Sequence, residues 1–173
     1  LNKSAGVNPD NYKTYAYRCR LNIWYNSGEM KRYKKMAYEQ MTDKIERLGP
    51  SGDRYFDLAE AYNLPVNGYG DDNKYRDSTL KYYDLALQYG KDSFTVLSER
   101  RHEADCNLVL KDCLWLIKNS PNSHMEEQYY YTMANCYSSQ EDYNKEMEIY
   151  MMLRETFPSK NLERRIRELN KKI

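Results

Sequence analysis

Apolar residues recur along this chain at steps of three and four, and nowhere do they alternate with polar residues over the length of a strand. Leu162, Ile166, Leu169 and Ile173, at steps of 4, 3 and 4, form one narrow stripe on a charged segment. Tyr55, Leu58, Ala59 and Tyr62 form another, and Leu80, Tyr83, Ala86 and Leu87 a third. That period is the helical one, and a chain patterned this way can bury its apolar faces only by packing helix on helix. The expected fold class is therefore all-α. With only 7 Gly and 5 Pro, a turn-rich β fold has too few turn residues.

The breakers divide the pattern into helical hairpins. Residues 1–7 carry no periodicity and read as a disordered or extended tail. Asn8, Pro9 and Asp10 combine an N-cap, a first-turn proline and an acid at the positive helix end, predicting a helix to about Tyr25. A second helix is expected from about Glu29 to Leu48, ahead of Gly49 and Pro50. Ser51, Gly52 and Asp53 open a third, and residues 64–73 form the one long loop. A helix follows from Tyr75 to about Tyr89. Over 94–118 there is no strong breaker, and two helices joined near Asp105, Cys106 and Asn107 are favoured over one. Pro121, Asn122 and Ser123 end that section. Helices over Glu126–Ser138 and Tyr143–Phe157 make the last hairpin, and 161–173 a charged terminal helix. The whole of 8–173 reads as one helical domain.

Composition sets further bounds. The 173 residues carry a net charge of +1, so the chain lacks the overall positive field suited to nucleic acid or acidic lipid. No run of about 18 apolar residues occurs, and no membrane span is expected. The first residue is Leu1 and not Met, as in a processed or excised chain. Tyrosine is unusual: 19 Tyr stand against 3 Phe and 2 Trp. A ring that tolerates a wet edge suits thin layers, which favours a solenoid over a thick globule. Cys19, Cys106, Cys113 and Cys136 are scattered among helical patterns and read as free buried thiols, leaning towards a reducing, cytoplasmic compartment.

Internal repeats give the pattern a family likeness. Tyr130, Ala134, Tyr137, Tyr150, Leu153 and Pro158 are separated by 4, 3, 13, 3 and 5 residues. This resembles the tetratricopeptide (TPR) repeat, a helical hairpin of about 34 residues with large, small and aromatic residues at those intervals. A small residue lets the two helices approach, an aromatic fills the gap beside it, and proline ends the second helix. Glu146 departs from the pattern, standing where a small crossing residue belongs, so that the hairpin splays or the glutamate stem lies along its edge. Tyr55, Ala59 and Tyr62 repeat the first steps, making 52–92 and 127–160 the best units. The resemblance implies a right-handed TPR-like solenoid of about four hairpins, with 161–173 as its capping helix. Glu163/Arg167 and Arg164/Glu168 would form charge pairs on the wet side of that cap. The joins around Ser120–Ser123 and Phe157–Lys160 resemble TPR proteins of bacterial cell-envelope assembly, the alternative location.

What such a solenoid implies is a concave groove that binds a protein or peptide. On the family register the groove is lined by Arg18, Asn22, Phe56, Glu60, Asn63, Tyr131, Asn135 and Ser138. Arg18, Asn22 and Asn135 occupy places used by TPR clamps for chaperone tails, but Tyr131, Asp57 and Glu60 stand where basic or amide groups are needed. An acidic chaperone tail is therefore not expected in this groove. Tyr130, Tyr137, Tyr55 and Tyr62 are assigned to packing, and Tyr131 is expected to keep its ring free for a partner.

Catalytic and metal chemistry finds no constellation. His102 and Cys106 lie one turn apart, but zinc needs four converging ligands, usually in close pairs. His124 has no partner nearby in sequence. Asp71 and Asp72 suit a turn, and Glu126 and Glu127 a helix N-terminus, better than an acid/base pair. No phosphate loop or nucleophile elbow occurs. Arg100 and Arg101 read as a solvated helix face and not a nucleic-acid patch. The expectation is a binding scaffold without cofactor or metal and not an enzyme; the alternative is the ligand-sensing part of a larger signalling or transcription-regulating protein.

Overall fold

The computed structural model describes residues 12–21, 27–64, 73–119 and 125–173, and every regular element among them is helical. The helices are α1 (Tyr12–Leu21), α2 (Ser27–Leu48), α3 (Gly52–Tyr62), α4 (Asn73–Gln88), α5 (Ser93–Arg100), α6 (Cys106–Asn119), α7 (Glu126–Ser139), α8 (Tyr143–Thr156) and α9 (Lys160–Leu169). No helix among them is long and apolar enough to cross a membrane. The expected tail 1–7, the helix start at Asn8, the loop centre and the turn at Pro121–His124 lie outside the described residues.

Helix ends follow the local chemistry. Ser51, Asp142 and Ser159 cap α3, α8 and α9, each side-chain oxygen accepting the amide three residues on. Gly90 closes α4 in the left-handed region (φ 83°), where a Cβ is disfavoured. The break between α5 and α6 falls over 101–105, slightly earlier than the 105–107 join that sequence suggests. Asp105 explains the shift, since its Oδ1 accepts the Leu108 amide at 3.0 Å and so caps α6. The terminal helix stops at Leu169, short of the expected 173.

The chain divides into two compact units, Leu1–Val96 and Leu97–Ile173. In the first, α1 packs on α2, α2 on α3 and α3 on α4. Gly52 sits where α3 meets the end of α4: its amide donates to Tyr89 O at 3.1 Å, and a Cβ there would collide with the Lys91 backbone nitrogen. Met30, Ala37, Met41, Leu58 and Ala61 form the apolar centre. Beside it runs a ladder of rings: Tyr38–Tyr62 at 4.7 Å, Tyr62–Tyr82 at 5.3 Å, Tyr82–Tyr55 at 6.2 Å and Tyr55–Tyr89 at 5.1 Å. Tyr55 and Tyr62 are thus packing residues, as their spacing suggested. Burial pushes the Tyr62 hydroxyl up to about 12, with neighbouring ring hydroxyls adding to the shift.

In the second unit α6 packs on α7, α7 on α8 and α8 on α9. Ala134 is completely buried beside Tyr130 and Met133, and Tyr150, Leu153 and Leu162 complete the core. The hairpin does not expose Glu146 along an edge; the residue is only 6% exposed. Arg100 and Arg101 are also not a solvated face. Both are buried, and Arg100 makes a two-pronged ion pair with Asp112, Nε to Oδ2 at 2.8 Å and Nη2 to Oδ1 at 2.6 Å. Arg101 stacks over Tyr129 at 4.9 Å, and donates to Ser98 O and to Thr132 Oγ1. On α9, Arg164 donates to Asn161 Oδ1 at 2.8 Å instead of pairing with Glu168.

Two stability outcomes follow from this packing. Asp112→Ala leaves a buried guanidinium without its anion and should destabilise by about 3–5 kcal/mol, measured by denaturant unfolding. Ala134→Leu should destabilise by about 1–3 kcal/mol through overpacking; a neutral result would place Ala134 away from the helix crossing.

Candidate partner-binding site

The residues expected to line a groove are divided between the two units. In the first, Arg18 lies over the Tyr33 ring at 5.6 Å. Phe56 tilts against Tyr83 at 5.8 Å and lies 5.1 Å beneath the Lys91 ammonium. Glu60 accepts the hydroxyl of fully buried Tyr83, so it serves the core as well as the cavity of about 250 Å³ that it lines with Tyr12, Tyr17 and Arg20. Asn63 caps α3, its amide donating to Ala59 O at 2.9 Å. Asn22 lies outside the described residues.

In the second unit the expected residues converge. Asn135 and Ser138, on α7, line a cavity of about 380 Å³ completed by Glu146 and Tyr150 of α8 and by Arg164, Arg165 and Glu168 of α9. Tyr131 stands at the same place, but its ring is engaged and not free. It meets Tyr150 edge-on at 6.4 Å, and the Arg165 guanidinium lies 5.1 Å over it. An aromatic face is a good seat for a guanidinium, which explains why the half-buried ring packs inward.

Electrostatics make this cavity unusual. Arg165 donates to Tyr150 Oη at 3.4 Å. Burial raises the Tyr150 pKa, the Arg165 hydrogen bond opposes that rise, and the Glu146 charge adds to it. The Tyr150 hydroxyl therefore stays protonated at neutral pH. Among the described residues Glu146 Oε2 is buried with no hydrogen-bond donor, while the Glu146 side chain also engages the Tyr150 hydroxyl. An unsatisfied buried acceptor costs about 1–3 kcal/mol, and more when charged. The site thus combines an oxygen that lacks a donor, an amide with both functions on Asn135, and a rim of cations from α9.

Sequence reasoning named the α7 residues from the repeat register and did not name those of α9, which it treated as a solvating cap. The available signal was the doublet Arg164 and Arg165 beside the Leu162, Ile166 and Leu169 stripe. One arginine of such a doublet turns towards the neighbouring helix.

No group of three or more His, Cys, Asp or Glu able to hold a metal occurs among the described residues. The four thiols are unbridged. Cys106, at the start of α6, is partly exposed and 3.4 Å from Ser139 Oγ. Burial pushes Cys113 up to about 12, and burial with the adjoining Cys106 thiol does the same for Cys136.

Comparison of the chain with protein-family models finds no match, and comparison with curated proteins finds none either.

The thiols give a direct test of this arrangement. Without reductant, a thiol reagent at neutral pH should label Cys106 in the native protein and all four cysteines only after denaturation, read by intact mass. Fast native labelling of Cys113 or Cys136 would contradict their burial.

Proposed function

We propose that this chain is a protein- or peptide-binding module, a TPR-like helical scaffold that recognises its partner through the α7–α9 cavity, and that it acts by binding and not by catalysis. One observation carries the reading: Asn135 and Ser138 face the α9 cations around a cavity in which Glu146 Oε2 is buried without a donor among the described residues, and the Tyr131 ring seats Arg165 beside it. A peptide backbone presents amide donors and carbonyl acceptors in alternation. Its N–H groups suit Glu146 and the Asn135 carbonyl, and its C=O groups suit Arg164, Arg165 and the Asn135 amide. The neighbouring ring of Tyr131 acts through Arg165, holding the guanidinium in place at the cavity wall where the partner would meet it. The absence of a nucleophile–base pair in the sequence favours binding over turnover.

The test is affinity capture with the intact chain, identification of a retained protein by mass spectrometry, and calorimetry against it. Asn135→Ala should weaken binding by about 1–3 kcal/mol with no loss of melting temperature, because Asn135 is exposed. Tyr131→Ala should weaken binding by a similar amount and destabilise less than Tyr130→Ala, since Tyr130 is more deeply buried. Failure to retain any protein, or equal affinity in all variants, would overturn the reading.

A further inference from the structure

Helix α6 carries a second surface, unrelated to the α7–α9 cavity. Lys111, Leu114, Trp115 and Lys118 fall at i, i+3, i+4 and i+7, so they share one face of the helix. That face is open: Leu114 is 55% exposed and Trp115 38%. Large apolar side chains seldom stay this exposed side by side, and when polar groups rim them they mark a contact surface. Beside them lies a largely apolar cavity of about 330 Å³, bounded by Leu97 and floored by the Arg100–Asp112 ion pair. The floor is rigid, because both charges are buried and doubly hydrogen-bonded. The rim is cationic on both sides, and among the described residues neither lysine is ion-paired.

We propose that this face of α6 docks an acidic amphipathic peptide segment of a partner protein, with one large apolar side chain seated between Leu97 and Trp115 and carboxylates meeting Lys111 and Lys118. The two lysines are seven residues apart on the helix, a separation of about 10.5 Å along its axis. That spacing sets a requirement on the partner: acids on either side of the apolar anchor, not in a single run. A basic segment would bring like charges against both lysines, and an uncharged one would leave both ammonium groups without partners in a closed interface. Trp115 is the residue type on which such interfaces concentrate their energy. Exposed lysines add attraction that salt screens, so the contact should weaken as ionic strength rises.

A displayed library of random peptides, selected on the intact immobilised protein, tests this. Enriched peptides should carry a large apolar residue bracketed by Asp or Glu. Their synthetic forms should bind roughly ten-fold or more weakly to the Lys111→Glu/Lys118→Glu variant, and more weakly again in high salt. The same peptides should bind Asn135→Ala unchanged, which separates this surface from the α7–α9 cavity. With Trp24→Phe as background, Trp115 emission should shift on binding. All the substituted residues of α6 are at the surface, and melting curves should be unaltered. The proposal is overturned if no peptide is enriched, if enriched peptides are basic or uncharged, or if the charge-reversed variant binds them equally. It is also overturned if phosphatidylserine vesicles shift Trp115 emission where the acidic peptides do not, which would make the face a lipid contact.

Discussion

Each buried tyrosine brings a hydroxyl that must be hydrogen-bonded, and that requirement shapes both units. Tyr83 and Tyr129 are fully buried; the first gives its hydroxyl to Glu60, and the second meets Ser98 Oγ at 3.3 Å. Tyr12 donates to Asp57 Oδ1 at 3.0 Å, and Tyr150 accepts from Arg165. Every one of these partners sits on a different helix from its tyrosine. A phenylalanine core would hold the helices by area alone, without specifying which polar residue faces which ring. With tyrosine, the polar partners become part of the packing, and residues that look solvent-directed in the sequence are drawn inward.

The same logic governs the end of α5. Two adjacent arginines placed at a helix terminus would ordinarily extend into water. Here Asp112 is only 2% exposed and Arg100 meets it through two hydrogen bonds, so the Arg100 fork is held in one geometry. Such a pair adds little net stability compared with well-packed apolar residues, yet removing one partner is costly. Its contribution is to fix the position of α5 against α6, since a bidentate pair tolerates little rotation. Arg101 extends the link to α7 through Tyr129 and Thr132.

These inward turns mark the boundary of what the sequence makes legible. The helices were legible because their apolar periods, glycines and capping side chains are local signals. Ser51, Asp142 and Ser159 act at the positions their residue types suggest. Ala59 and Ala134, both fully buried, were legible from their spacing to neighbouring aromatics. Arg100, Arg101 and Glu146 were not, because a charged residue in a helical pattern reads as solvated unless its partner is known. Asp112 and Arg100 are twelve positions apart on different helices, and no local rule couples them. The division at Val96–Leu97 was equally hidden, since periodicity runs through it without a change in composition.

The candidate site illustrates the same asymmetry. Asn135 and Ser138 were named from the repeat register, one position beyond the packing residues Ala134 and Tyr137 on the same helix. The cations opposite them could not, because the charges of α9 were read as pairs on the wet side of a cap and not as groups facing α7 and α8. That stripe buries Leu162, Ile166 and Leu169 against the unit, and doing so fixes which remaining faces are available. Arg165 lies next to Ile166, so anchoring the isoleucine sends the guanidinium along the flank of α8 and over the Tyr131 ring. A helix that closes a hydrophobic core thereby also furnishes the charged wall of a cavity. Glu146 of α8, only 6% exposed, brings a buried carboxylate to the same cavity and sets it against those cations.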